Sequence, residues 1–233
     1  CNSECVGKVE QACEAQRAAG TRYAGFVFAP LMQGAAGMIP QPKGWLNQVA
    51  GIARSNGALL IADEVMTGFG RTGVFPGASQ TKATWSTLFA SHQEGVQPDF
   101  LCLAKGLTGG YLPMAATLTT QSVFDAFLGE YEEFKTFFHG HSYTGNQLGA
   151  AASLASLDIL KAPDSIHARA TLETTLRDAL KTLWELPQVG DIRQVGLVVG
   201  IELVRDWQTR EPFALAERAG IRVCNAMAKR GVL

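Results

Sequence analysis

Two side chains that could act together in catalysis follow two apolar segments of the chain. Asp63 follows residues 58–62, and Lys105 follows residues 100–104. In an open α/β sheet the ligand crevice lies at the carboxyl ends of the strands, so this acid and this amine would share it. The pair could be a salt bridge, or a pyridoxal phosphate site in which the lysine forms a Schiff base and the aspartate keeps the pyridine nitrogen protonated. On spacing alone, an acid that only caps a loop is the simpler interpretation.

The segments that would position these two side chains alternate with helical patterns. Four short apolar runs predict buried strands at residues 23–29, 58–62, 100–104 and 114–118. Apolar residues at helical spacing predict helices at about residues 4–19, 43–56 and 122–128. Continuous apolar strands separated by amphipathic helices indicate a mostly parallel sheet that is covered on both faces. The predicted fold class is therefore α/β.

The pattern changes after Gly145, where the helices become longer. Helices are predicted at 147–161, 165–186 and 215–229, and strands at 191–194 and 197–203. We predict that residues 1–160 form part of a large domain that binds the cofactor, and residues 161–233 part of a smaller α+β domain. Arg193, in the first of these late strands, could hold a substrate carboxylate, but an ion pair is the commoner role for such an arginine.

Composition excludes several classes of protein. The 233 residues carry 20 Lys+Arg against 21 Asp+Glu, a net charge of −1, which argues against a general affinity for nucleic acid. No apolar run approaches the roughly 20 residues that span a bilayer. Five irregularly spaced cysteines predict reduced thiols and a cytoplasmic protein. His139 and His141 lie in a Gly-rich turn without a nearby carboxylate or thiolate, so no metal site is predicted.

Four stretches of sequence resemble the class III aminotransferases, and they occur in the order of that family. They are residues 33–38 (QGAAGM), 63–73 (DEVMTGFGRTG), 103–110 (LAKGLTGG) and 138–146 (FHGHSYTGN). The resemblance covers most of the chain. It implies fold type I, with a mostly parallel large domain and a smaller α+β domain, both incomplete here, and pyridoxal 5′-phosphate as the cofactor.

The resemblance also implies roles for individual residues near the ring of the cofactor. Lys105 would be the Schiff-base lysine, and would later move the proton between the substrate carbon and the cofactor. Asp63 would pair with the ring nitrogen, Val65 would pack against the ring face, and Gln33 would lie near the phenolic oxygen. For Glu64, which follows the aspartate, we expect a structural hydrogen bond rather than acid–base work.

The stretch at residues 138–146 resembles the phosphate-binding turn of the family. His141 and Ser142 would bind the cofactor phosphate, and Gly140 would lie beside the substrate. A helix predicted to begin near Gly145 would favour an anion at its N-terminus. In this family the turn reaches the cofactor of the partner subunit, so the resemblance implies a homodimer with a shared active site.

Residues 136–147 and 186–193 look most like the branch of the family that works in biotin synthesis. That branch transfers an amino group to 8-amino-7-oxononanoate, and the donor would be S-adenosylmethionine or lysine. The alternatives are another ω-amino acid or diamine aminotransferase, and a fragment that is inactive on its own. The chain begins with Cys1 and stops at Leu233, inside a new strand-like segment, so we expect truncation at both ends. Residues 76–87 look like an inserted, exposed loop.

Overall fold

The computed structural model describes residues 4–73 and 88–232. The loop expected at residues 76–87 lies outside these described residues. The helices are α1 (Glu4–Ala18), α2 (Trp45–Ser55), α3 (Ala90–Gln93), α4 (Gln121–Asp125), α5 (Gln147–Lys161), α6 (Pro163–Lys181) and α7 (Ala219–Ala228). The strands are β1 (Gly25–Phe28), β2 (Met32–Gln33), β3 (Ile39–Pro40), β4 (Leu59–Asp63), β5 (Phe100–Leu103), β6 (Ala116–Thr119), β7 (Val189–Val195), β8 (Val198–Asp206) and β9 (Glu211–Pro212).

The central sheet has the strand order β1-β4-β5-β6. Strands β1, β4 and β5 are parallel, and β6 pairs antiparallel with β5. All four strands predicted from apolar runs are present, and the α/β class is confirmed. Only the parallel strands end at the same edge, so this edge carries both Asp63 and Lys105.

Helix α2 packs its apolar side against this sheet. Its buried residues are Leu46, Val49, Ala50 and Ala53, the spacing of a single helix face. They belong to one apolar cluster with Leu60 and Ala62 of β4. Each fully buried leucine of this kind contributes about 1.5–3 kcal/mol, so the packing fixes β4 firmly beneath the site.

The later part of the chain forms a second layer of helices and a small antiparallel sheet, β7-β8-β9. Helix α6 begins at Pro163, two residues earlier than the sequence pattern indicates, because proline is well tolerated in the first turn. It ends at Lys181 and continues as a 3-10 turn, Thr182–Glu185. The domain boundary at residue 160 stays a prediction. No helix in the described ranges has the length and apolarity that a membrane crossing needs.

Candidate active site

Asp63 and Lys105 lie at neighbouring strand ends, as the sequence indicates. Asp63 is the last residue of β4 and is opposite Cys102 of β5, three residues before Lys105. Both side chains are exposed. The Asp63 Oδ1 atom accepts a hydrogen bond from the Val65 backbone N–H at 3.0 Å, which orients the carboxylate and the half-buried Val65 together.

Lys105 occupies a strained backbone position. It opens a 3-10 turn, Lys105–Thr108, with a φ angle of 49°. The left-handed region costs a non-glycine residue about 1–2 kcal/mol, and such strain concentrates at functional sites. The two glycines that follow the turn, Gly109 and Gly110, also have positive φ. The unusual backbone conformation at the end of β5 therefore sets the position of the Lys105 side chain.

Glu64 anchors the turn that follows Asp63. Its side chain is completely buried and accepts hydrogen bonds from the Ala90 and Ser91 backbone N–H groups, at 2.9 and 2.7 Å, and from the Ser91 and Thr67 hydroxyls. Burial raises the pKa of Glu64, and the four hydrogen bonds offset part of that rise. The expected structural role is observed, because all four contacts are with the protein framework.

Arg71 is a residue of this site that the sequence reasoning did not single out. Its side chain donates to the Val65 carbonyl oxygen at 3.1 Å and to the Gly68 carbonyl oxygen at 3.2 Å. Partial burial lowers the pKa of Arg71. Gly106 lies so close that a Cβ atom there would be 3.1 Å from an Arg71 nitrogen and 2.8 Å from the Phe69 ring. The glycine after Lys105 is thus needed for this packing.

Lys105 and Arg71 line one cavity of about 520 Å³, together with Arg169. Both guanidinium groups hydrogen-bond carbonyl oxygens, and Arg169 donates twice to the Leu160 carbonyl at the end of α5. Among the described residues, three cationic side chains and no acidic one line this cavity. Its electrostatics suit an anionic group beside Lys105.

Gln33 reaches the same region on a separate hairpin. It is exposed at the end of β2 and pairs with Ile39 of β3. The hairpin lies directly on the turn after Asp63, since a Cβ atom at Gly34 would be 2.5 Å from the Met66 sulfur. The structure therefore brings Gln33, Asp63, Val65 and Lys105 into one neighbourhood.

The turn that carries Gly140, His141 and Ser142 lies elsewhere. Gly140 and His141 line a second cavity of about 990 Å³ with residues 112–117, and this lining shares no residue with the Lys105 cavity. His141 exchanges hydrogen bonds with Thr144, and its Nδ1 atom accepts from the Tyr143 N–H. All three predicted residues are exposed.

Helix α5 begins after this turn, at Gln147, and its bounds agree with the helix predicted at residues 147–161. Asn146 is the N-cap, and its side chain accepts from the Gly149 N–H at 2.9 Å. Three residues therefore lie between Ser142 and the N-cap residue Asn146. In the described part of the chain, no cluster of three His, Cys, Asp or Glu side chains could hold a metal ion.

The segment that leads into this turn and includes it carries exposed aromatic side chains, of which Tyr143 lines the second cavity. They are Tyr111, Tyr131, Phe134, Phe137, Phe138 and Tyr143, and we call this set the aromatic face. Tyr111 and Phe138 are 88% and 89% exposed. Exposed apolar patches of this kind mark interaction surfaces.

Comparison with known proteins identifies close relatives. A family profile described as aminotransferase class-III matches residues 2–233. The whole chain is 47% identical to the adenosylmethionine-8-amino-7-oxononanoate aminotransferase of Nitratidesulfovibrio vulgaris and covers 40% of that protein. It is 40% identical to the protein of the same name from Methanocaldococcus jannaschii and covers 48% of it. The chain thus spans about half the length of the curated relatives it matches, or less.

Solved structures agree with these matches. The crystal structure of the Methanocaldococcus jannaschii protein superposes with a TM-score of 0.85 over 98% of this chain and 50% of that chain. An (S)-enantioselective omega-transaminase from Thermomicrobium roseum superposes with a TM-score of 0.81 at 34% identity, over 98% of this chain and 47% of that one. The fold is therefore that of these transaminases.

Proposed function

This chain belongs to the class III aminotransferases, and we propose that it carries the catalytic lysine and aspartate of a pyridoxal phosphate-dependent aminotransferase acting on 8-amino-7-oxononanoate in biotin synthesis. The observation that carries the proposal is the placement of Asp63 and Lys105 at neighbouring strand ends, beside a cationic cavity. The relatives named for this reaction support the choice of substrate.

The residues present fit the cofactor chemically. Asp63 has one carboxylate oxygen held by the Val65 N–H, and no other described residue donates to this side chain. It can therefore hold a proton on a pyridine nitrogen. Lys105 has no acidic partner among the described residues, so its amine is available to hold an aldehyde and to move a proton. Pyridoxal phosphate, when bound, supplies an electron sink for the substrate carbon.

Two further residues and the cationic cavity act on the cofactor around this pair. Val65 packs against the ring face, on the side fixed by its hydrogen bond to Asp63. Gln33 contributes a polar group near the phenolic oxygen from the hairpin that lies on Met66. The cationic cavity next to Lys105 favours an anionic part of cofactor or substrate.

The active protein is a homodimer in this proposal. His141 and Ser142 bind the phosphate of the partner's cofactor, and Gly140 lies beside the partner's substrate. Two observations support it: the turn lines a cavity distinct from that of Lys105, and the side chains of the aromatic face are exposed. Burying such aromatic side chains against a second copy is favourable, since each buries roughly 150–250 Å².

The amino donor is S-adenosylmethionine or lysine, and both are tested below. The compartment we propose is the cytoplasm, because the four described cysteines are free thiols. Another ω-amino acid or diamine aminotransferase is the second candidate, favoured by the superposition on an omega-transaminase.

Activity measurements on the purified protein with pyridoxal phosphate test the proposal. We expect 8-amino-7-oxononanoate to accept an amino group from one of the two donors. Lys105→Ala should reduce the rate at least about 100-fold, because the proton-moving group is lost. Lys181→Ala, which removes an exposed lysine paired with Asp178, is the matched control and should keep the wild-type rate. Turnover of ω-amino acids or diamines but not of 8-amino-7-oxononanoate would favour the second candidate.

A further inference from the structure

Arg193 of β7 links the small sheet to the candidate active site. It lies opposite Gly200 of β8, and it shares one face of the small sheet with Asp191 and Glu202. One guanidinium nitrogen, Nη1, binds both carboxylates, at 2.6 and 2.7 Å. The ion pairs hold the guanidinium still and leave its other two nitrogens free to bind elsewhere.

Those two nitrogens bind the loop of the β2–β3 hairpin. Arg193 Nε donates to the Met38 carbonyl oxygen and Nη2 to the Gly37 carbonyl oxygen, each at 3.0 Å. Gly37 and Met38 have φ angles of 107° and 54°. Two successive positive φ angles turn these adjacent carbonyl oxygens toward the same side. The paired N–H donors of a guanidinium can bind both oxygens at once, whereas an ammonium group does not match this geometry.

Gly200 allows the hairpin to lie on the small sheet. A Cβ atom at Gly200 would be 2.7 Å from the Met38 Cβ atom, closer than real contacts permit. The hairpin is therefore held on one side by Arg193 and Gly200. On its other side, Gly34 lies against Met66 in the turn that follows Asp63.

We propose that Arg193 is a positioning residue that holds Gln33 and the turn after Asp63 in their working geometry. The proposal rests on the proposed function, because it gives Gln33 a place at the cofactor. Met38 precedes Ile39, the β3 residue that pairs with Gln33, so the two carbonyl contacts act one and two residues away from that pair. Arg193 acts through the hairpin and does not touch the reacting atoms.

The test compares two variants that perturb the contact between the small sheet and the hairpin with one control variant elsewhere on the small sheet. Arg193→Lys keeps the positive charge near Asp191 and Glu202 but cannot bind both carbonyls. Gly200→Ala pushes on Met38 of the same hairpin loop without changing any charge. Arg205→Lys is the control, since Arg205 lies on the small sheet and pairs with Glu211 and Glu217 instead.

Hydrogen exchange on the cofactor-free protein reports on the hairpin. The amides to follow are those of Gly37, Met38 and Gln41, whose hydrogen bonds close the hairpin. We expect exchange to become about tenfold faster in Arg193→Lys, the size expected for the loss of one charged hydrogen bond. Exchange should also become faster in Gly200→Ala, because the added methyl group displaces Met38. Arg205→Lys should exchange as the wild type does.

A second readout separates positioning from simple support of the fold. In the cofactor-loaded protein, we expect Arg193→Lys to shift the pH midpoint of the cofactor absorbance and to lower kcat more than it raises KM. Unchanged exchange in Arg193→Lys would overturn the proposal, and so would faster exchange with an unchanged absorbance midpoint. If no pyridoxal phosphate binds, the proposed function fails, while the exchange comparison still decides whether Arg193 holds the hairpin.

Discussion

The contact between Gly196 and the turn after Asp63 provides a sharp test of how the small sheet supports the site. Gly196 lies between β7 and β8 with a φ angle of 59°. A Cβ atom there would overlap the backbone of Thr72 and Gly73 and would lie 2.7 Å from the Arg71 carbonyl oxygen. The Leu197 N–H donates to that same oxygen at 2.8 Å. Gly196→Ala therefore forces the two turns apart.

Gly95→Ala is the matched control for this change. Gly95 also has a positive φ, 70°, but no atom of residues 4–73 or 88–232 lies within 4 Å of its added Cβ. The control thus carries only the backbone strain, about 1 kcal/mol. Gly196→Ala adds the lost Leu197–Arg71 hydrogen bond, about 1 kcal/mol, and packing strain of about 1–3 kcal/mol. Its total cost is at least about 3 kcal/mol.

Thermal unfolding measures the loss of stability in these variants, and titration with pyridoxal phosphate measures the loss of cofactor affinity. For a chain of this size, about 1 kcal/mol lowers Tm by roughly 2–4 °C. We expect a drop of roughly 2–4 °C for Gly95→Ala and roughly 6–12 °C or more for Gly196→Ala. Pyridoxal phosphate affinity should fall only in Gly196→Ala, because only that change displaces Arg71. Equal drops in Tm for the two variants would refute this reasoning.

Two further predictions concern buried and capping side chains. Glu64→Gln should lower Tm at pH 5 by roughly 2–12 °C, because an amide nitrogen cannot accept from the Ala90 or Ser91 N–H, a cost of about 1–3 kcal/mol. The pKa of Glu64 is raised above 4.5 in the folded state. The stability that this side chain contributes to the folded protein is therefore complete below pH 4.5 and is lost as pH rises through the folded-state pKa. The difference in Tm between the wild type and Glu64→Gln should therefore narrow as the pH rises from 5 to 8. A difference that widens would contradict this prediction. Asn146→Ala should cost about 0.5–2 kcal/mol and speed exchange of the Gly149 amide, and unchanged exchange there would exclude a capping role.

The part of the site carried by neighbouring parallel strands could be predicted from the sequence. Residues 58–62 and 100–104 are apolar throughout, a pattern that buried parallel strands require. Parallel strands end at one edge, so the proximity of Asp63 and Lys105 follows from the pattern alone. The antiparallel direction of β6 does not follow, because its side-chain pattern would suit either direction.

Contacts between distant segments could not be predicted in the same way. Arg193 binds a carbonyl oxygen 155 positions away along the chain, and no local pattern encodes a backbone acceptor. Arg71 lies inside the stretch DEVMTGFGRTG, but the sequence alone does not place it beside Lys105. Its place beside Lys105 depends on the left-handed backbone at Phe69 and on the missing side chain of Gly106.

The central claim is that Lys105 holds pyridoxal phosphate, and chemical trapping tests it most directly. The protein is incubated with pyridoxal phosphate, reduced with borohydride, digested and analysed by mass spectrometry, with Lys105→Ala treated in parallel. We predict that one peptide gains the reduced cofactor, that the modified residue is Lys105, and that the variant gains none at any other site. Labelling of a different lysine, or equal labelling of Lys105→Ala, would contradict the account.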